Sequence, residues 1–360
     1  MRGIIVVSKS EALNKGSFYI VGRDLSKILD FPVMGLDKKV YPFLGMPKLD
    51  VVISIGTLST IVLFTKLAAL AALASRVFAY AAVEGIPRNL TPFSPLANLA
   101  SKINKLHIVV PSEYARQELQ GVGMKVEMVI PHGVDLKEIN RARNSEDIVT
   151  PRDEKIQVLS VFSSLFQERK RLGLYLLLLA WSRLSKETRK NAKIVLKVPA
   201  GTADVVEQIA RSLKLAKNEY VILDQWFSRD LMLNSFRSAD IYLHGTLADA
   251  FGLPLIESMA CGTPVIALNA QPWNEIVNEE VGWLVDIEKE ILVRRSNSFS
   301  LIQRLRIPKI GDLSSKIENA IQFCYSRNYQ KLSQRCVEHA SKFDIHRTYS
   351  IFKDLIENDS

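Results

Sequence analysis

The stretch DAFGLPLIESMACGTPVIAL, Asp249 to Leu268, sets an acid ahead of Phe-Gly-Leu-Pro and a glutamate inside the apolar run that follows. It reads as a strand-to-helix corner. Asp240 to His244 form the strand and Gly245 to Asp249 the loop. Pro254 suits a first helical turn, where its missing N–H costs nothing. Leu255 to Ala260 continue the helix, and Cys261-Gly262 ends it with a residue that tolerates positive φ. Such a corner directs the backbone N–H groups of Gly252 and Leu253 outward, and the helix dipole adds about half a positive charge there. Gly252 has no side chain to block a phosphate or a sugar. Glu257, one turn in, and Asp249, in the loop, are placed to accept hydrogen bonds from hydroxyl groups of one ligand. Singly, each acid reads as a stabiliser of a helix end or a turn, contributing about 0.5–1 kcal/mol. Two acids around a glycine at this corner read as a ligand site.

Outward from the corner, short β-branched runs alternate with longer amphipathic ones. The strands are Gly3 to Val7, Val51 to Ile55, Val77 to Ala81, Leu106 to Val110, Val126 to Ile130, Gln157 to Val161, Ile194 to Val198, Val221 to Leu223, Ile241 to Leu243 and Pro264 to Leu268. Helical patterns lie between most of them, so the expectation is an α/β chain with parallel sheets covered on both faces. Open parallel sheets bind ligands at the carboxyl ends of their strands. Two such domains in tandem face each other across a cleft.

The chain has 360 residues, which suits two domains. Leu136 to Lys155 is polar and weakly periodic and reads as the junction; Glu288 to Gly311 is a second polar interval ahead of two C-terminal helices. The expected units are 1–145, 146–340, and a terminal piece 341–360 whose helix, His346 to Asn358, has one apolar face. A hydrophobic share of 48% with 24% charged residues is that of a folded globular chain. Cys261, Cys324 and Cys336 have neither zinc-site nor disulfide-framework spacing, which suits a reducing cytoplasm. Ser59 to Ser75 is the one segment that suggests a membrane. At 17 residues, with Lys66 inside, it falls short of the ~20 that spanning needs and reads as a buried helix. The net charge of +9 favours anionic partners, including nucleotides and an acidic membrane face. The basic residues are scattered without interleaved aromatics, which argues against nucleic acid.

The segment Asp249-Ala-Phe-Gly-Leu-Pro-Leu-Ile-Glu257 resembles the signature of the family four retaining glycosyltransferases, of GT-B architecture, in which two glutamates are separated by seven residues; here the first acid is aspartate. Val109-Val-Pro-Ser-Glu-Tyr-Ala-Arg and Ile130-Pro-His-Gly-Val-Asp135 resemble the end of that family's first domain. Glu168-Arg-Lys-Arg is similar to its donor-phosphate lysine stretch, and Asn274-Glu-Ile-Val with Gly282-Trp-Leu-Val to the tail of its second domain. The resemblance covers residues 75 to 290 well and the first 75 in outline.

The resemblance implies two Rossmann-like domains and a retaining transfer of sugar from a nucleotide-diphosphate donor, a UDP- or GDP-sugar, to a saccharide or lipid-linked acceptor. It implies that Glu257 binds the ribose and Asp249 the sugar hydroxyls, beside the amides of Phe251, Gly252 and Leu253. Lys170 falls on the donor diphosphate. Ser164 stands where relatives usually carry arginine, so one phosphate cation is missing. Trp226 lies where relatives receive the nucleobase, Gly16 lets its loop approach the diphosphate, and His132 touches the ligand. Glu84, at the end of a first-domain strand, orients or deprotonates the acceptor hydroxyl. Each of these also has a plainer reading: an exposed lysine, a core tryptophan, turn residues at Gly16 and His132, and a strand-end carboxylate bonded to a loop. No Asp-x-Asp triplet occurs, so neither a metal nor a cofactor is expected. Peripheral contact at the cytoplasmic membrane face fits the basic charge. The rival readings are a nucleotide-sugar epimerase of the same architecture and a non-catalytic sugar-nucleotide-binding subunit.

Overall fold

The computed structural model describes residues 1–36, 49–57, 74–84, 86–87, 106–143, 149, 153–163, 165, 168–295 and 301–358. Within them, two parallel sheets of six strands each carry the architecture. The first contains β1 (Gly3–Ser8), β2 (Val33–Leu36), β3 (Leu49–Thr57) and β4 (Ala74–Ala82); a two-residue strand, β5 (Ile86–Pro87), lies outside it, and β6 (Leu106–Val110) and β7 (Met128–Val129) complete it. Its order is β2-β1-β3-β4-β6-β7. The second runs through β8 (Ile156–Val161), β9 (Ala192–Val198), β10 (Tyr220–Asp224), β11 (Ile241–Leu243), β12 (Val265–Leu268) and β13 (Gly282–Val285), in the order β10-β9-β8-β11-β12-β13. All ladders in both are parallel.

The strands are continuous apolar runs because helices cover both faces of each sheet. On one face of the first sheet, Ile5, Val7, Ile53, Phe78 and Tyr80 pack with Val21 and Leu25 of the helix Ser17–Leu29. Tyr349, Phe352 and Ile356 of the terminal helix Ile345–Asn358 join the same cluster, so the chain's last helix packs on the sheet that its first strand begins. The second sheet encloses the larger core, including Trp181, Leu196, Phe236, Tyr242 and Ile256.

Several segments differ from the sequence expectation. The polar interval after residue 135 holds a helix, Leu136–Arg143, started by Asp135, whose Oδ1 accepts the amides of Lys137 at 2.8 Å and Glu138 at 3.2 Å. The polar interval Glu288 to Gly311 is mostly an antiparallel hairpin, β14 (Ile287–Arg295) and β15 (Leu301–Pro308). Its inner strand continues the pairing to β5, with Ile302 opposite Ile86, so this small sheet joins the two large units. Three helices follow rather than two, Ile310–Cys324, Tyr329–Ala340 and Ile345–Asn358. Of the segment Ser59 to Ser75, residues 59–73 lie outside the described residues and Ser75 belongs to β4. No helix among the described residues is long and apolar enough to cross a membrane.

Candidate functional site

The corner after β11 has the geometry its sequence dictates. The helix Leu253–Ala260 follows Gly252, which sits at φ +113° with no side-chain cap, and Pro254 lies in the first turn. A side chain at Gly252 would be strained by that φ, and its Cβ would come within 3.0 Å of Leu255 Cδ1 and 3.2 Å of Trp273 Cδ1. The start of the helix Glu168–Ser182 lies against the same loop, because a Cβ on Gly173 would stand 2.3 Å from the carbonyl oxygen of Gly245. Lys170 is one turn before Gly173 on that helix; its side chain, like Ser164 as a whole, is outside the described residues. A pocket lined by Gly173, His244, Gly245, Thr246 and Pro308 opens beside the loop.

The two acids stand in different surroundings. Asp249 is partly exposed: its Oδ1 accepts the amide of Ala250 at 2.8 Å, and its Oδ2 lies 3.8 Å from Nε2 of the buried His244. Glu257 is buried and paired through Oε1 with the Arg229 guanidinium, whose Nε lies 3.4 Å from Oε2 of Glu138. Burial raises the Glu257 carboxyl pKa, and Arg229 opposes the shift. Arg229 opens the helix Arg229–Ser238, capped by the Ser228 hydroxyl on the amide of Leu231. Arg23 completes the array, gripping Glu138 with two bonds of 2.9 and 2.7 Å. An ion chain therefore runs from the helix Ser17–Leu29 to Glu257.

The first unit meets the corner directly. Ser112 Oγ donates to the carbonyl of Ala250 at 2.8 Å. Phe251, buried, places its ring edge-on to His132 at 5.1 Å. Nδ1 of His132 lies 2.9 Å from Tyr80 Oη, which gives its own proton to the carbonyl of Ile130 at 2.6 Å. Nδ1 therefore carries the hydrogen in that contact. Burial holds the His132 pKa down at about 3, so the ring is neutral at physiological pH. Glu275 accepts the amides of Glu113 and Tyr114, both at 2.8 Å, closing the N-terminus of the helix Glu113–Gln120. The guanidinium of Arg306 lies 4.4 Å from the Tyr114 ring and 5.8 Å from that of Trp273, pinning the units together.

Asp249, Phe251, Gly252, Leu253 and Glu257 share one corner, with His132 against it. Glu84 lies two residues past the carboxyl end of β4. Trp226 is 61% exposed just beyond β10, so it is no core residue. Gly16 opens the helix Ser17–Leu29, but that end is occupied from within: Glu11 Oε2 accepts the amide of Phe18 at 3.1 Å and lies where a Gly16 Cβ would be. Arg229, His244, Glu275 and Arg306 were missed from sequence. The partners of Arg229, Glu275 and Arg306 come from segments far apart in the chain, and no local pattern announces such meetings; His244 meets Tyr242 and Asp249, two and five residues away.

Two six-stranded parallel sheets with covering helices, and a glycine corner at the carboxyl end of a strand in the second, define a GT-B α/β protein. Residues 146–306 match the family model described as glycosyl transferases group 1. The GDP-mannose-dependent alpha-(1-6)-phosphatidylinositol dimannoside mannosyltransferase of Mycobacterium tuberculosis is 24% identical over 200 residues, 56% of this chain and 50% of that protein. The alpha-monoglucosyldiacylglycerol synthase of Streptococcus pneumoniae is 25% identical over 178 residues, 48% of this chain and 40% of the relative. The chain thus spans about half the length of these curated relatives or less. Among solved structures, Anabaena Alr3699/HepE in complex with UDP and glucose superposes with a TM-score of 0.67 at 16% identity, covering 99% of this chain and 100% of that one.

Proposed function

We propose that the protein transfers a sugar from a UDP- or GDP-sugar to an acceptor hydroxyl, with retention of anomeric configuration and without a metal ion. The unit 146–340 holds the donor, 1–145 holds the acceptor, and 341–360 returns to the first unit. The Gly252 corner carries this reading: it lies inside the family match, starts its helix without a side-chain cap, and has an acid on each side. Donor phosphate is taken by the helix start and Lys170, which stabilise the charge on the leaving diphosphate. Asp249 binds sugar hydroxyls, Glu257 takes the ribose while Arg229 fixes its orientation, and the exposed Trp226 offers its face to the base. His132, neutral, backs Phe251. As the bond from the anomeric carbon to phosphate breaks, the acceptor oxygen attacks from the same face. Its proton passes to the departing phosphate, while Glu84 orients the acceptor.

The acceptor we favour is a saccharide on a lipid anchor at the cytoplasmic membrane face. Two relatives are named for phosphatidylinositol and diacylglycerol substrates, and the chain's positive charge suits an acidic lipid surface. The test is release of nucleoside diphosphate by the purified chain from UDP- and GDP-sugars, with and without acceptor. Lys170→Ala and Glu257→Ala should cut release strongly with the circular dichroism spectrum unchanged, and wild-type rates in either variant sink the site. The Glu257–Arg229 pair favours one second reading, a sugar-nucleotide binder without turnover. That reading requires donor to raise the melting temperature while no diphosphate is ever released.

A further inference from the structure

The hairpin β14–β15 has no use in the chemistry above, and its outer strand is unlike the rest of the surface. Among the described residues, β15 is covered between β14 and β5, whereas β14 is an edge strand. Along it, Ile291, Leu292 and Val293 are 36%, 62% and 39% exposed. Successive strand residues point to opposite faces. Three consecutive exposed apolar side chains therefore mean that this arm meets solvent on both faces. A folded protein partner covers one face of such a ribbon, whereas the interfacial layer of a bilayer can close around both. Charge complements the shape: acids stop at Glu290, Arg294 and Arg295 follow the apolar triplet, and residues 291–303 hold no carboxylate, whereas Arg304 is paired with Glu290 and Glu118. The arm's far end is tied to the acceptor unit, since Ile302 pairs both with Arg294 and with Ile86, two residues past Glu84.

We propose that this outer strand is a membrane-docking element, with Ile291, Leu292 and Val293 entering the headgroup region of an anionic bilayer and the basic sequence at positions 294 and 295 adding positive charge beside them. Docking there sets the open end of the acceptor unit against the lipid surface. For that consequence alone the inference rests on the proposed transfer reaction.

The experiment is co-sedimentation of the full chain with vesicles of phosphatidylcholine alone and of phosphatidylcholine mixed with phosphatidylglycerol. Binding is expected to the mixed vesicles only and to weaken with salt. Each arginine near an anionic surface contributes about fivefold in affinity, so Arg294→Glu with Arg295→Glu should lower binding by more than about 25-fold. Leu292→Asn, at an exposed position, should weaken it while the melting temperature stays at the wild-type value. Absent binding to the mixed vesicles, equal binding to both vesicle types, or variants that bind like wild type would overturn the proposal. So would a wild-type dimer that Leu292→Asn splits without any vesicle binding, since the arm would then join two copies. Diphosphate release by hydrolysis of the donor, in which water takes the sugar, needs no lipid and is measured on the same samples. Lost docking with release intact isolates the arm, and missing release with docking intact faults only the proposed activity.

Discussion

Arg229, first residue of the helix Arg229–Ser238, forms a buried ion pair with Glu257 on the helix that opens at Gly252, and the same guanidinium reaches Glu138 at 3.4 Å. Glu138 is held in turn by Arg23, so the orientation of Glu257 depends on side chains from both units. Removing the cation leaves the buried Glu257 carboxylate without its ion-pair partner, while Glu138 keeps Arg23. Breaking a buried pair from one side costs about 3–5 kcal/mol. Arg229→Ala should lower the unfolding free energy read from urea titration by that amount and raise the donor KM more than it lowers kcat, because the ribose contact loses its orientation. Arg229→Lys keeps the charge and should recover much of the stability but less of the KM, since one ammonium replaces a planar fork. Equal KM values in all three proteins would reduce the pair to a structural role.

Gly252→Ala tests the corner itself. The residue stands at φ +113°, and its Cβ would meet Leu255 and Trp273 at 3.0 and 3.2 Å. Backbone strain of this kind costs about 1–3 kcal/mol. Urea unfolding should show that loss. Diphosphate release should fall much further than the fraction unfolded explains, because the loop shifts away from the donor.

His132 gives the protein a specific weakness to acid. Its folded pKa is held near 3 by burial, against an ordinary 6.5. Between those values the unfolded chain binds a proton that the folded one refuses. Stability therefore rises with pH in this window and falls as pH drops below 6.5, by up to about 1.4 kcal/mol per pH unit. His132→Asn removes the titrating group. Urea midpoints measured from neutral pH down to about pH 5 should fall less steeply in the variant than in wild type. Parallel slopes would mean that the ring is protonated in the folded state.

The parallel sheets and the corner were legible in the sequence because both rest on local signals. Strands buried on two faces must be apolar throughout, as Ile4 to Val7 and Ile194 to Leu196 are, and the corner needs glycine and proline at fixed offsets. The hairpin was not legible. Glu288, Lys289 and Glu290 face solvent on the edge strand, so β14 begins as a polar run. The helix Leu136–Arg143 was hidden for the same reason: four of its eight residues are charged and apolar periodicity is faint. Glu257 was read as an open ligand contact, whereas its Arg229 partner lies 28 residues earlier on a separate helix. Proximity of that kind arises from topology and leaves no trace in spacing.

The terminal helix supplies the last prediction. Tyr349 accepts the amide of Gly133 at 3.0 Å, and Phe352 packs edge-on to Phe78 and Tyr80 at 5.7 and 5.5 Å. Both side chains are fully buried in the core of the first sheet. Tyr349→Phe keeps the ring and orphans one buried amide, a loss of about 1–3 kcal/mol. Phe352→Ala opens a cavity and should cost about 3–5 kcal/mol. If the helix is an integral part of that core, both variants lower a single cooperative urea transition in this order. A helix that merely rests on the surface would instead melt first, giving an early transition in circular dichroism while the near-ultraviolet signal of the remaining tyrosines holds.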